Sequence, residues 1–403
     1  MKSKSFRYLW LGQSLANLGD ILYIVGLISI LYGVSESALI LAMLPFLNTF
    51  GRFVSGMFSP LLFARYKLKF LLVLSQALKS FVLLGLSLWV NLVAEQSLMV
   101  IYGFILLIAL LDGWAMPATG AMLPRLVEKH EILKANSFLS VVLDTIQMAG
   151  WAIGGMLVAF FNGYNVLWLT LGLFLLSTWM MFQLRDPKEK EIKRREEKTM
   201  DLLKSGWIKL WKNRLYRALH LQITIDTVAN VVWIAAILYI FVFEVLQASE
   251  AWWGYINTVF FIGLLLGGVL CTTYAKQVEG SLRMMMILSS LAVSMITFFF
   301  GANSILILAL ILAGIHGFTQ QIKGISIDTF LQKEARVEEL PMIYAAQNAL
   351  ISLVFSFSSL AFGVLAEVYH VRFVFLVSGL LLLIGALFIV GQRKYFPKGY
   401  VKD

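Results

Sequence analysis

Charge is scarce in this chain. Asp, Glu, Lys and Arg make up 14% of its 403 residues and hydrophobic residues 60%, whereas about a quarter of a soluble domain is charged. With a mean hydropathy of +0.82, the shortage excludes an ordinary water-soluble globule. Cysteine is almost absent: the single Cys271 excludes a disulfide framework and a Cys-rich metal site. No phosphate loop, Ser/His/Asp arrangement, HExxH pair or paired metal-ligand spacing occurs, so neither an enzyme's chemistry nor a metal or cofactor is expected. The opening MKSKSFRYLW sets basic residues before an apolar stretch. However, no small-x-small cleavage site follows and Asp20 interrupts the run, so it reads as a retained first span rather than a signal peptide.

What is present is a series of long apolar runs. A bilayer core of ~30 Å needs ~20 apolar residues per helix, and twelve runs qualify, near 8–33, 37–63, 70–90, 98–118, 138–162, 164–184, 215–243, 251–275, 282–301, 304–326, 343–367 and 371–391. They lack the ~10-residue alternation of a membrane barrel, which predicts an all-α membrane protein. If both termini are cytoplasmic, all of the 33 Lys and Arg fall on the inner side except Arg52, Lys79 and Lys323 within spans and Arg372 outside. This is the positive-inside asymmetry. It accounts for the net charge of +10 without a nucleic-acid partner and reads the basic run KEKEIKRREEK at 188–198 as a solvated inner linker.

Two stretches repeat each other at an offset of 204 residues: LLDGWAMPATG at 110–120 and GIHGFTQQIKG at 314–324. Each carries an ionisable residue (Asp112, His316), a glycine, an aromatic residue, and a second glycine further on. FRYLW at 6–10 and YRALH at 216–220 likewise open the first and seventh spans. The chain thus reads as a six-helix bundle over 1–184, an inner linker over 185–214 and a second six-helix bundle over 215–403. The linker passes into an amphipathic piece, MDLLKSGWIKLWKNRLYRAL, that suits the membrane surface. Parallel six-span repeats related by an axis along the membrane normal are an architecture for substrate sites formed between two rocking halves.

Over essentially its whole length the sequence resembles the major facilitator superfamily. GWAIGGML at 150–157 is similar to the antiporter motif G-P-x-x-G-G-x-L of its exporter branches, with Trp151 at the proline position. PLLFARYKLK at 60–69 stands where the superfamily writes G-x-x-x-D-R-x-G-R-R: Arg65, Lys67 and Lys69 fit, while Pro60 and Ala64 replace the Gly and the Asp. LPRLVEKHEILKANS at 123–137 resembles a loop of the macrolide-efflux branch, whose relatives include lysophospholipid transporters. The resemblance implies a monomeric, non-enzymatic carrier of the bacterial cytoplasmic membrane that moves a small amphipathic substrate by alternating access. Export coupled to protons is the first expectation, with lipid-like cargo and no proton as the second; a non-transporting receptor is a remote third. It also implies that Gly150, Gly154, Gly155 and Arg65 act at the inner gate, and that spans four and ten line the cavity.

Charges within spans are costly and default to function. Asp20 and Arg52 lie at similar depths on spans one and two, roughly 17 Å in at 1.5 Å per residue, and are expected to pair. The pair is either a permanent brace or a protonatable switch, and Lys79 either completes a three-way network or snorkels to the inner surface. Asp112 and His316 are candidate proton-coupling groups within a repeated frame whose glycines serve close helix packing. The alternative is a capping Asp before Pro117 and a neutral, backbone-bonded His. Asp226 is the second-half candidate for proton or cation binding, with Lys323 in the charge network. Asp144 is expected to be a water-accessible gate residue, and Gln147, Gln222, Gln320 and Asn348 to line the substrate cavity. Sixteen Met and a heavy aromatic content suit an adaptable apolar cavity, although most of it must face lipid or serve packing.

Overall fold

The computed structural model describes residues 3–34, 38–92, 97–187, 199–233 and 235–400, so the basic run at 188–198 lies outside the described residues. The chain folds into fourteen α-helices with no strand among the described residues: α1 Lys4–Val34, α2 Ala38–Arg65, α3 Leu68–Leu92, α4 Leu98–Leu126, α5 Ile132–Gln183, α6 Thr199–Lys212, α7 Arg214–Ala229, α8 Ala235–Glu244, α9 Glu250–Thr273, α10 Ala275–Gly280, α11 Leu282–Ala302, α12 Leu306–Glu334, α13 Leu340–Tyr369 and α14 Val371–Gly391. Among the described residues ten helical segments are long and apolar enough to cross a membrane, and the bent pair Arg214–Trp233 and Ile237–Glu244 makes an eleventh. The remaining span, α2, has the length but carries Asn48 and Arg52 in its middle.

Three departures from the expected spans bear on the site. The fifth and sixth spans join directly within α5 at Asn162, which adopts φ 62°. With ψ at 164° this backbone lies in a region that residues with a side chain rarely adopt, and the Asn162 Oδ1 accepts from the Asn165 amide at 3.1 Å, capping the second segment. The seventh span is broken: α7 ends at Ala229, a 3-10 turn covers Asn230–Trp233, and the chain turns by 44° before α8 continues. Finally, α4 and α12 run on to Leu126 and Glu334, past the expected ends at 118 and 326. These extra turns stay helical because they are packed, with Ala121, Met122, Ile327 and Phe330 buried.

The chain divides into two compact units. The first comprises residues 1–128, 145–208 and 336–352, and the second 129–144, 209–335 and 353–403. The core of the first gathers Tyr23, Leu27, Leu83, Ile105, Leu167 and Phe174 from α1, α3, α4 and the second segment of α5. Sparse polar links tie it. Ser177 donates to the Gly12 carbonyl at 2.7 Å and Ser75 to the Leu111 carbonyl at 2.9 Å, each joining neighbouring helices where no water competes. The core of the second unit is aromatic, with Phe241, Phe300 and Phe375 mutually in contact. Its C-terminal tail folds back: the Tyr400 amide donates to the Glu279 carbonyl at 3.2 Å and its hydroxyl to Glu334 at 2.5 Å. Burial, together with that carboxylate, pushes the Tyr400 phenol above its ordinary range.

The repeated glycines show why the frame was written twice. A Cβ at Gly113 would lie 2.5 Å from Ser55 Cβ and 2.7 Å from the Arg52 carbonyl, so α2 and α4 touch through backbone there. A Cβ on Gly317 would collide with the Phe260 carbonyl, so α9 and α12 make the equivalent contact in the second unit. The later glycines differ. Gly120 packs on the Tyr344 ring, whereas nothing lies within 4 Å of a Cβ at Gly324.

Candidate functional site

In the first unit four charged side chains from four helices converge. Lys79 on α3 is 1% exposed, and its ammonium lies 2.6 Å from Asp20 Oδ1 on α1 and 2.7 Å from Asp112 Oδ1 on α4. The other oxygen of Asp112 accepts from Arg52 Nη2 on α2 at 3.1 Å. The partner of Arg52 is thus Asp112 rather than the expected Asp20. Because the α2 and α4 backbones meet at Arg52 and Gly113, the residue beside Gly113 falls within reach of the guanidinium. Lys79 completes the network and does not snorkel. Its ammonium also sits 4.6 Å from the centre of the Phe174 ring, whose edge fills the space a side chain at Gly19 would need. One turn beyond the network on α1 and one turn before it on α2, Asn48 Nδ2 donates to the Tyr23 hydroxyl at 2.9 Å.

Two cations and two carboxylates make the cluster neutral as a whole, which such burial requires. Its members are not equivalent. Asp112 is held by both cations and its side chain is 9% exposed; Asp20 is held by Lys79 and is 17% exposed. Taking up a proton therefore costs Asp20 one ionic contact and Asp112 two. Protonation of Asp20 leaves Lys79 wholly to Asp112. Arg52 Nε is buried without a partner in the protein.

The second unit sets its ionisable groups differently. Lys323 on α12 forms an ion pair with Asp226 on α7, 3.0 Å from its Oδ1 and off the ideal hydrogen-bonding direction, and the ammonium has donors to spare for a further acceptor. Gln222, one turn earlier, donates to the same Asp226 oxygen at 3.0 Å. Two turns from Lys323 on α12, His316 stacks on the Trp233 ring at 4.0 Å between centroids. Both of its ring nitrogens are buried and bond to nothing in the protein. The expectation of a backbone-bonded histidine is therefore not met.

Asp144, on the first turns of α5, is half-buried and its Oδ2 accepts from Gln321 Nε2 on α12 at 2.6 Å. About two turns closer to the start of α5, Asn136 donates to Gln332 at 2.9 Å. Gln321, Gln332 and Asn136 were not singled out from the sequence, where nothing distinguishes them from other amides. Gln147 is exposed, Arg65 is exposed at the end of α2, and Asn348 is half-buried on α13.

The antiporter-like glycines divide by role. A Cβ at Gly150 would press on Ile21 at 2.9 Å, and one at Gly154 would meet Val25 and Leu22 at 3.2 and 3.3 Å, both on α1; Gly155 has nothing within 4 Å. The Gly150 contact is the terminal methyl of Ile21, which can swing aside, so Gly150→Ala is expected to gain less melting temperature than Gly155→Ala, where the helix-propensity gain of about 0.5–1 kcal/mol is unopposed; paired thermal denaturation curves check this.

A family model described as Major Facilitator Superfamily matches residues 9–333. Two proteins of Bacillus subtilis (strain 168), each described as an uncharacterized MFS-type transporter, are similar. YfmI is 27% identical over 398 residues, covering 98% of each chain. YjbB is 25% identical over 291 residues, covering 72% of this chain and 71% of its own. Among solved structures, the human organic anion transporter MFSD10 (TETRAN) superposes with a TM-score of 0.75 at 13% identity, covering 96% of this chain and 99% of that one. The proton:xylose symporter XylE gives 0.73 at 16% identity, covering 96% and 95%. At such identities these structures establish the fold and not the cargo.

Proposed function

Because this chain belongs to the major facilitator superfamily, whose members are non-enzymatic carriers, we propose that it is a proton-coupled secondary transporter that exports an amphipathic organic compound, with Asp20 taking up the proton. The observation that carries this reading is that Lys79 bonds both carboxylates, at 2.6 Å and 2.7 Å, while only Asp112 has a second cation, Arg52. A proton on Asp20 breaks one of the two contacts of the ammonium and leaves Lys79 wholly to Asp112, so the cluster has a deprotonated and a protonated arrangement. A carrier needs such a two-state element biased by its coupling ion. Asp112 with Arg52 is the fixed half of the device; Asp20 is the half that changes.

Asp144 with Gln321, and Asn136 with Gln332, support a gating role for the first turns of α5. Those turns bond to α12, while the rest of the same helix belongs to the other unit. A movement of α5 has to break two amide hydrogen bonds, one of them to a carboxylate, about 1–3 kcal/mol each. This suits a gate that opens thermally. The positive-inside distribution supports a cytoplasmic side for the α5 start and both termini, and the Bacillus relatives support a bacterial plasma-membrane location.

The test is substrate-driven proton movement in proteoliposomes, scanned over macrolides, cationic drugs and lysophospholipids. Native protein is expected to move protons when one class of compound is added, Asp20→Asn to lose that flux while still exchanging substrate, and Asp112→Asn to lose both. Substrate movement without proton flux in native protein, unchanged in Asp20→Asn, would refute the coupling and leave a lipid-type facilitator as the better reading.

A further inference from the structure

Unspent hydrogen-bonding capacity in the second unit is concentrated along two facing helices. The broken seventh span and α12 meet at two levels, Asp226 of α7 with Lys323 and Trp233 of the 3-10 turn with His316. Between and around those levels lie buried polar atoms with no hydrogen-bond partner in the protein: Gln222 Oε1, which lies against Gly385 of α14, Asn230 Oδ1, both nitrogens of His316 and Gln320 Oε1; Lys323 Nζ has Asp226 alone as its ion-pair partner. Gln222, His316 and Lys323 are no more than 1% exposed. His316, Gln320 and Lys323 follow one another at four and then three residues, so they stand on one face of α12. A buried polar group without a partner costs roughly 1–3 kcal/mol, and several together in the middle of a membrane span are retained only for a purpose. The seventh span also breaks at this level, at Asn230–Trp233. Discontinuous spans are where carriers expose polar groups to cargo.

The chemistry of these atoms narrows the ligand. Three are amide oxygens, which accept only; a neutral imidazole offers one donor and one acceptor; the ammonium only donates. Asp226 presents no free charge, because its Oδ1 is engaged by both Lys323 and Gln222. An organic cation would find this carboxylate already paired and an ammonium beside it. An anion would meet an ammonium, but one facing amide oxygens that repel it. A hydroxylated neutral group satisfies all of them, since each O–H donates to an amide oxygen or the imidazole and each oxygen accepts from Lys323. Resting on the transport reading above, we infer that the α7–α12 face holds the polar end of the substrate, and that this end is a neutral, hydroxyl-rich group such as a glycoside.

The inference is tested by isothermal titration of the full chain in lipid nanodiscs. The probes share one apolar ring and differ in the head: phenyl β-glucoside, phenyltrimethylammonium and phenyl phosphate. Phenyl β-glucoside is expected to bind saturably and more tightly than either charged probe, with affinity about tenfold weaker in Gln320→Leu and in Asn230→Leu. The ligand-free melting temperature of Gln320→Leu should stay level or rise, because the substitution removes an unsatisfied buried atom; a merely structural amide would lower it. No saturable glucoside binding, tighter binding of a charged probe, or native affinity in both variants would overturn the inference. Binding is read apart from transport. A glucoside that binds but drives no proton flux defeats the coupling and keeps this site, whereas proton flux driven by another compound with no glucoside binding defeats the site and keeps the coupling.

Discussion

Replacing Lys79 by leucine is expected to destabilise the protein by about 3–5 kcal/mol, the loss seen when one partner of a buried ion pair is removed, and to abolish transport. The ammonium is the shared partner of Asp20 and Asp112. Without it two carboxylates face each other across a 1%-exposed position, with Arg52 left to balance both. Coulomb repulsion and desolvation then act in the same direction. The double variant Lys79→Leu with Asp20→Asn should recover most of the lost melting temperature, because the remaining Asp112 keeps its bond to Arg52 at 3.1 Å. It should not recover proton coupling. Melting curves in detergent separate the two effects. A Lys79→Leu protein that melts like the native one would show that the cluster is solvated and not a closed network.

Gly317→Leu is the second large effect. A Cβ at this position already collides with the Phe260 carbonyl on α9, and backbone cannot swing aside as a side-chain methyl can. The two helices must separate along a contact that includes Gly263 against the Gly314 carbonyl. Overpacking typically costs 1–3 kcal/mol, and a forced separation of helices belongs at or above the top of that range. Separation also pulls His316 from Trp233. The same substitution at Gly324, where a Cβ meets nothing within 4 Å, should leave folding yield and melting temperature near native values. Equal losses at both positions would contradict the close-approach account.

The two halves of that comparison mark how far the sequence can be read. Span positions were legible because each helix must supply its own ~20 apolar residues, a requirement that is local. Three of the four charges of the first unit, Asp20, Arg52 and Lys79, were legible as a group for the same reason: each interrupts an apolar run and lies at a similar depth, whereas Asp112 was read with His316 in the repeated frame. Their pairing was not. Depth is one coordinate, whereas partners are chosen by the direction each side chain leaves its helix and by how closely the helices approach. Arg52 reaches Asp112 because Gly113 lets α2 and α4 touch at that level. The break at Asn230–Trp233 was hidden for a different reason. No glycine or proline marks it; the stretch offers only an asparagine and two β-branched valines, weak helix formers whose effect depends on surroundings. Gln321 went unnoticed because an amide becomes conspicuous only when a carboxylate such as Asp144 lies 2.6 Å away.

The repeat also has a functional side. The backbone contacts at Gly113 and Gly317 are the same in both units, while the adjoining ionisable residue differs. Asp112 is tied into a neutral charge network, and His316 is left stacked on Trp233 with both nitrogens unspent. One packing frame thus supports an ionic cluster in the first unit and a face rich in neutral hydrogen-bonding groups in the second.

Whether Asp20 itself carries the proton is read most directly by difference infrared spectroscopy of the membrane-reconstituted protein across a pH titration, following the carboxyl C=O stretch in the native chain and in Asp20→Asn, Asp112→Asn and Asp226→Asn. The account predicts one substrate-sensitive protonation band that vanishes in Asp20→Asn and survives in Asp226→Asn. A band that persists in Asp20→Asn, or that disappears with Asp226→Asn, would place the proton elsewhere and contradict the account.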